Sequence, residues 1–461
     1  MQPERSRRTI IEPFKIRVVE PLPLPDRAER EQVLLEAGCN LFLVPSRFVT
    51  FDFLTDSGTT AMSAAQWGAM MVSDESYAGS RSFEKFEETV RALTGYRYVI
   101  PTHQGRAAER LLFSHLVKPG LVIPSNNHFD TTHANIEQLG GEAADLVIPE
   151  GRDPQNRHPF KGNIDLARLD AFCETNRDRI PVGMMTVTNN TGGGQPVALE
   201  NLRGAAAVYR RYEIPFILDA CRFAENSYFI KLREPAHGER SVREIARETF
   251  DLADGCLMSA KKDALVNIGG FIALKASAWV DSLRSMLILT EGFPTYGGLA
   301  ARDLEAIAVG LDEVLQEDYL RYRLAVSRYM AEGLNRVGIP TVQPPGGHAV
   351  YIDAKALLPH IPSEQFPGQA LACELFLAEG IRSCEIGSAM FGKQVGGRFQ
   401  PAAMELVRLA FPRRVYTQSH FDYILEGMAE LAGRRADLRG MRITYEPPFL
   451  RHFTARFETL P

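Results

Sequence analysis

Two adjacent lysines, Lys261 and Lys262, lie in the run Leu257-Met258-Ser259-Ala260-Lys261-Lys262-Asp263-Ala264, between the apolar stretches 254–258 and 269–274. Both stretches read as short buried strands. A lysine held between buried strands is unusual, because its ammonium is seldom taken out of water without a partner or a task. One such task is an imine with pyridoxal phosphate, since a desolvated amine beside a second cation has the lowered pKa that imine chemistry needs. A solvated turn with two surface lysines fits the same residues. Asp219 ends the apolar run Phe216-Ile217-Leu218, with Arg222 three residues on. A carboxylate there can hold a pyridinium nitrogen protonated and turn the ring into an electron sink; a helix N-cap followed by a surface arginine is the plainer alternative. Gln104-Gly105-Arg106 stands at a strand-to-helix junction, where free N–H groups and the helix dipole favour a phosphate. Phe129, just past another apolar run, is placed to lie over a flat ring, and a core phenylalanine explains it equally well.

The elements that must position these groups follow from the apolar pattern. Tyr98-Val99-Ile100, Leu121-Val122-Ile123, 182–187 and 215–218 read as apolar strands. Helical stretches at 107–117, 131–139 and 199–211 separate them. Strands alternating with helices imply a mostly parallel sheet covered by helices on both faces, with ligands at the carboxyl ends of its strands. Upstream, residues 10–25 suit an extended arm, 27–37 a helix stopped by Gly38, 49–54 a strand, and 82–93 a helix with Gly95 beyond its end. After about residue 315 a long helical face (Val326, Met330, Leu334, Val337) leads to the strand Ala349-Val350-Tyr351-Ile352 and a smaller α+β domain. The expected division is 1–56 as arm and part of the small domain, 57–315 as the large cofactor-binding domain, and 316–461 as the small C-terminal domain.

Composition sets the outer bounds. The chain has 461 residues, 45% hydrophobic and 24% charged, with a net charge of −5. That balance, without long basic runs, argues against nucleic acid or an anionic membrane as the main partner. No apolar run approaches the roughly 18 residues of a membrane span, and the charged, proline-punctuated start does not look like a secretory leader. The six cysteines are scattered with no C-x-x-C pair, which speaks against disulfides and structural zinc and points to the reducing cytoplasm.

Several segments together resemble the β-eliminating lyases: Leu54-Thr55-Asp56-Ser57-Gly58-Thr59, Pro101-Thr102-His103-Gln104-Gly105-Arg106, Gly194-Gln195-Pro196, 258–262 and Arg451-His452-Phe453-Thr454-Ala455. The likeness runs from about Glu12 to the C-terminus. It implies a fold-type I pyridoxal-phosphate enzyme, homotetrameric, with sites shared between subunits and a monovalent cation such as potassium nearby. Carried over residue by residue, Lys262 would form the imine and then remove the Cα proton, with Lys261 keeping the neighbourhood positive. Gln104, Gly105, Arg106 and Ser259 would hold the phosphate. Phe129 would stack on the ring, Asp219 would pair with its nitrogen, and Asn190 and Arg222 would lie near its phenolic oxygen. Arg408 would grip the substrate carboxylate on a side shared with Thr55, where a bidentate fork explains arginine rather than lysine. Tyr77 would reach in from the adjacent subunit as a general acid or a contact to the leaving group, and Gly58, Glu75 and Asn267 match the family's cation positions.

Within that family, members acting on tyrosine carry an arginine where this chain has Ile386, a threonine where it has Asp130, and a phenylalanine where it has His452. All three choices match members that act on tryptophan, as does Leu358-Pro359-His360-Ile361-Pro362. A phenol hydroxyl buried against Ile386 would lose its partner, and polar sites discriminate such analogues by up to about 10⁴–10⁵. Asp130 would accept the indole N–H. The expected reaction is α,β-elimination of L-tryptophan to indole, pyruvate and ammonia. The alternatives are phenol release from tyrosine, a lyase of another β-substituted amino acid, and a pyridoxal-binding homologue without catalysis. Ala107 and Ser76 depart from the family pattern without removing a chemical group.

Overall fold

The computed structural model describes residues 9–448 and 450–461. The chain divides into two units, Asp56–Gln316, and Met1–Thr55 with Glu317–Pro461. Among the described residues no helix is long and apolar enough to cross a membrane, and the six cysteines are free.

The unit Asp56–Gln316 is built on a five-stranded sheet in the order Tyr98–Thr102, Gly270–Leu274, Gly255–Ser259, Phe216–Asp219, Gly183–Thr186. Gly270–Leu274 runs antiparallel to both neighbours, whereas the other pairings are parallel, so four strands point one way. The reversed strand is the one after the lysines. Its connection from Ser259 is the ten residues 260–269, and a parallel return would need a crossover of a dozen or more. A second, short parallel pair joins Val122–Ser125 to Glu142–Asp145. The latter strand, Glu-Ala-Ala-Asp, carries no apolar run and escapes a reading based on hydrophobicity.

Register decides which side chains share a face. Asp219 lies opposite Thr186 and Leu257, and Ser259 opposite Gly270, which itself faces Thr102. Because side chains alternate along a strand, Asp219 and Ser259 project from the same face as Ile217 and Leu257. The helices Gly105–Leu116 and Val280–Thr290 cover that face, packing Leu111, Leu112, Leu283 and Leu287 on Ile217, Leu257 and Ile272. The opposite face is closed by Phe86 on Phe271 and by Tyr209 on Phe216.

The lysine turn is fixed from behind. Buried Gln66 donates its amide to the carbonyls of Leu265 (3.0 Å) and Ala306 (3.1 Å). Gly310, in the helix Ala301–Glu313, lies so close that a Cβ there would sit 1.7 Å from the Ala264 carbonyl oxygen. Glycine at this helical position is a packing requirement.

In the other unit, Leu406–Ala410 is the middle strand of an antiparallel sheet, flanked by Cys384–Ile386 and Ala349–Asp353. Its core joins Met330, Leu334, Ile352, Leu371, Phe376, Val407 and Phe421 around Phe53. These come largely from the helices Glu317–Arg336, Pro367–Glu379 and Gln418–Gly433. Only Phe51–Asp52 of the strand expected at 49–54 pairs, in parallel with Ile381–Arg382. Residues 9–26 form no helix or strand, in keeping with an extended arm whose first eight residues lie outside the described residues.

Gly310→Val is expected to cost about 1–3 kcal/mol by overpacking, because the atoms it meets are backbone. The measurement is the urea midpoint; an unchanged midpoint would contradict this packing.

Candidate active site

The carboxyl ends of the parallel strands gather most of the residues singled out in the unit Asp56–Gln316. Gln104 is extended and precedes the helix Gly105–Leu116. A Cβ on Gly105 would lie 2.6 Å from the Ser259 Cβ, and one on Gly270 would lie 2.7 Å from the Gln104 carbonyl carbon. Three backbones therefore meet without side chains between them, leaving a cradle at a helix N-terminus, where unpaired N–H groups suit a phosphate. Ala107, buried in the first turn, leaves this arrangement intact.

Asp219 is 8% exposed. Among the described residues it accepts one hydrogen bond, from the Cys221 N–H at 3.3 Å, and pairs with no cation. Burial, then Asp219, push the Cys221 thiol up to about 12. A buried carboxylate so poorly satisfied is costly, and a protonated ring nitrogen is the kind of partner it lacks.

The lysine turn is tied to the same strand end. Asp263 accepts from the Ala224 N–H (2.9 Å) and donates its own N–H to the Cys221 carbonyl (3.3 Å). Gly58 donates to the Lys261 carbonyl (2.9 Å). The depressed amine is that of Lys261, lowered by burial, then by Lys262 and Arg106. Lys262 and Arg106 are thus the cations that act on Lys261.

Arg222 is claimed by a partner that sequence spacing does not reveal. Its Nε and Nη2 donate to the Asp56 carboxylate at 3.1 and 2.7 Å, with side chains 3% and 2% exposed. Asp56 stood in a polar loop, with no local signal for a contact 166 residues away. Asn190 is buried in a turn whose Thr191 hydroxyl donates to the His128 carbonyl at 3.1 Å. Phe129 and Asp130 follow at the start of the helix Asp130–Gln138. His128 anchors them, its backbone N–H and ring Nδ1 both 2.8 Å from Asp145 Oδ1.

Glu109 was not foreseen. It is buried in the helix Gly105–Leu116 and accepts from Thr132 Oγ1 (2.6 Å) and Thr131 Oγ1 (3.1 Å). Burial pushes its carboxyl up to about 7, the Thr132 hydrogen bond opposes the rise, and Asp219 adds to it. The available signal was a charged residue one turn before Leu112 and two before Leu116, on a largely apolar helical face.

Of the expected cation positions, Gly58 and Asn267 meet, with Asn267 Nδ2 donating to the carbonyls of Gly58 and Thr60 at 3.0 Å each. Glu75 makes its contacts at the start of the helix Ala301–Glu313, accepting from the Ala301 N–H (3.1 Å) and Arg302 Nη1 (3.3 Å). Tyr77 is 69% exposed, stacked 5.4 Å from Phe293 and edge-on to Tyr296.

The second unit carries Thr55, Ile386, Arg408 and His452. Arg408 is buried, lies opposite Cys384 and Tyr351, and donates Nη2 to the Leu54 carbonyl (2.9 Å), next to Thr55. Ile386, opposite Leu406, shares the face of Arg408 and joins an apolar cluster with Tyr351, Leu406 and Phe42. The His452 ring lies edge-on to Phe42 and is tilted 4.0 Å from Phe453. The loop after Ile386 is held by two buried carboxylates. Glu385 accepts from the Ala389 and Met390 N–H groups, and Glu405 from Ser388. Burial, reinforced by Glu405, pushes Glu385 up to about 8.

The cradle at Gly105, Asp219 with its single long hydrogen bond and the depressed amine beside Lys262 fit pyridoxal phosphate. The chain matches the family model described as beta-eliminating lyase over residues 52–426. It is 61% identical to a tryptophanase of Salinibacter ruber, covering 97% of this chain and 95% of that one. It is 58% identical to a tryptophanase of Hyphomonas neptunium, over 98% and 100%. A tyrosine phenol-lyase of Symbiobacterium is 50% identical over 97% and 98%. Among solved structures, Sphingomonas wittichii serine palmitoyltransferase shares the fold at a TM-score of 0.54 and 16% identity, over 89% of this chain and 96% of that one. A structure of SPT with PLP gives a TM-score of 0.55 at 16% identity, over 89% and 97%.

Asp56→Ala is expected to destabilise by about 3–5 kcal/mol, because it strands a buried guanidinium; denaturant unfolding measures this. Glu385 predicts a pH dependence. Its folded pKa of about 8 exceeds its ordinary 4.5, so the native state keeps a proton that the unfolded chain loses. Its contribution is intact below about pH 4.5 and is lost as pH rises through about 8. In urea midpoints taken across that window, Glu385→Gln is expected to remove Glu385's share of the fall between about pH 4.5 and 8.

Proposed function

The chain belongs to the β-eliminating lyase family, and from that membership we propose a pyridoxal-phosphate-dependent carbon–carbon lyase that splits L-tryptophan into indole, pyruvate and ammonia. The observation that carries the choice of substrate is near full-length identity, 61% and 58% to tryptophanases against 50% to a tyrosine phenol-lyase. Buried Ile386 supports it: its own side chain offers a phenol hydroxyl no hydrogen bond, and an unpaired buried hydroxyl is penalised.

Bound pyridoxal phosphate supplies an aldehyde carbon for the substrate amine and a ring that draws off the electron pair left at Cα. The residues of this chain do the rest. Gln104, Gly105, Arg106 and Ser259 bind the phosphate, and Phe129 covers the ring. Asp219 holds the proton on the ring nitrogen. Asn190 and Arg222 serve the phenolic oxygen, with Arg222 oriented by Asp56. Arg408, beside Thr55, takes the substrate carboxylate. The Lys262 amine would hold the cofactor and would take the Cα proton, with Lys261 keeping positive charge beside it. Asp130 accepts the indole N–H, and His452 lines the aromatic end of its own unit. Tyr77 of a neighbouring copy delivers a proton to the departing indole carbon. That role fits its exposure, and it is the reason to read the enzyme as a homotetramer with shared sites. Potassium is assigned to the oxygen donors at Gly58, Glu75 and Asn267. The cytoplasm is the proposed compartment, in keeping with cysteines that are free and mostly buried.

The test adds tryptophan, tyrosine and an S-alkyl cysteine separately to the protein with pyridoxal phosphate, and measures indole, phenol and pyruvate. Indole and pyruvate in equal amounts are expected from tryptophan. Lys262→Ala is expected to lower the rate by at least about 10²–10⁴, the usual cost of losing a general base. Phenol from tyrosine without indole from tryptophan would overturn the choice of substrate. Cofactor uptake without turnover of any of the three would favour the non-catalytic homologue.

A further inference from the structure

Glu109 has no place in the reaction just described, yet it is the buried carboxylate that faces the cofactor residues from the helix side. Its carboxylate receives Thr132 Oγ1 at 2.6 Å, Thr131 Oγ1 at 3.1 Å and Asn135 Nδ2 at 3.4 Å. All three donors belong to the first two turns of the helix Asp130–Gln138. No cation pairs with Glu109 among the described residues. If this position needed only packing, leucine would fill it without the desolvation penalty of a carboxylate.

What the carboxylate adds is direction. Glu109 stands about one turn beyond Gly105 and Arg106 on the helix that carries the phosphate cradle. Thr131 and Thr132 stand directly after Phe129 and Asp130. The three hydrogen bonds thus fix the start of one helix against the first turns of the other. They set where the Phe129 ring and the Asp130 carboxylate stand relative to the cradle. Electrostatics agrees with the geometry, since both Asp219 and Lys262 act on Glu109. It therefore lies close to the groups that hold the ring nitrogen and the reactive amine.

We propose that Glu109 is a positioning residue for the cofactor. Through Thr131, Thr132 and Asn135 it holds Phe129 and Asp130 in register with the Gly105 cradle. The proposal rests on the reading of this site as one for pyridoxal phosphate. It assigns Glu109 no contact with the cofactor or the substrate.

The experiment compares Glu109→Leu, which removes the acceptors, with Glu109→Gln, which keeps one oxygen acceptor in nearly the same shape. Pyridoxal phosphate is titrated into the full-length apoprotein, and binding is followed by the circular dichroism of the bound cofactor and by its dissociation constant. Hydrogen bonds to a charged group of this kind are worth enough to weaken binding about tenfold or more when lost. Glu109→Leu is expected to show that loss together with an altered cofactor signal. Glu109→Gln is expected to return the constant to within about threefold of wild type. A Glu109→Leu protein with wild-type affinity and signal would overturn the proposal. So would a Glu109→Gln protein as impaired as Glu109→Leu, because the oxygen acceptor would then not be what matters. If Glu109→Leu does not fold, Thr132→Ala removes the shortest of the bonds from the opposite side. A folded Thr132→Ala protein with an unchanged cofactor signal and affinity would overturn the proposal as well. A wild-type protein that takes up no pyridoxal phosphate would instead defeat the cofactor reading, and this inference with it.

Discussion

A carboxylate withdrawn from water and given one long hydrogen bond is an expensive thing to build into a strand end. Asp219 is such a group, and much of the surrounding architecture is legible as its consequence. Its strand is central enough to be buried on both faces, and register fixes the face from which the carboxylate emerges. The lysine turn is drawn to the same place, with Asp263 bonded to the segment just past Asp219. The Gly105 cradle follows the strand three places along in sheet order, where the reversed strand Gly270–Leu274 separates Tyr98–Thr102 from Gly255–Ser259. A cofactor with a cationic ring at one end and a phosphate at the other matches charges that the fold has set in advance. Preorganisation of that kind avoids rearrangement at the moment of reaction.

The unit that carries Arg408 and Ile386 solves a different problem, how to present one cation and one apolar wall from the same sheet face. Arg408 stands opposite Cys384, and Ile386, two residues on from Cys384, projects from the same face. The carboxylates of Glu385 and Glu405 then close the turn after Ile386 by capping the short helix Ser388–Phe391. Gly387 has to be glycine for this, because a Cβ would sit 2.5 Å from Glu405 Oε2 and 2.7 Å from Glu385 Oε1. Side-chain choice at position 386 is thus supported by an acid pair with no part in chemistry.

Much of this was readable before any coordinates. Apolar runs and their spacing located the strands of the large sheet and the helices at 105–116 and 199–211, because burial on both faces leaves a continuous hydrophobic signature. Polar residues at strand ends, Asp219 and Ser259 among them, were readable for the same reason, since each terminates such a run. What stayed hidden depended on contacts remote in sequence. The direction of Gly270–Leu274 follows from the length of a connection. The strand Glu142–Asp145 is held by pairing rather than by hydrophobicity. Asp56 acquires meaning only when the fold brings Arg222 to it, and Glu109 only when the next helix supplies its hydroxyls. The drop in basicity at Lys261 comes first from burial, then from Lys262 and Arg106, and the burial depends on the fold.

The anchoring of the segment behind Lys262 also bears on time. Gln66 grips the carbonyls of Leu265 and Ala306, and the Gly310 helix leaves the peptide at Ala264 no room to shift. An amine mounted on so immobile a backbone changes position by side-chain torsions, which relax in picoseconds to nanoseconds rather than on the microsecond scale of loops and domains. Any travel of the Lys262 amine is therefore a local swing about the bonds of its own side chain, and slower motions have to originate outside this turn.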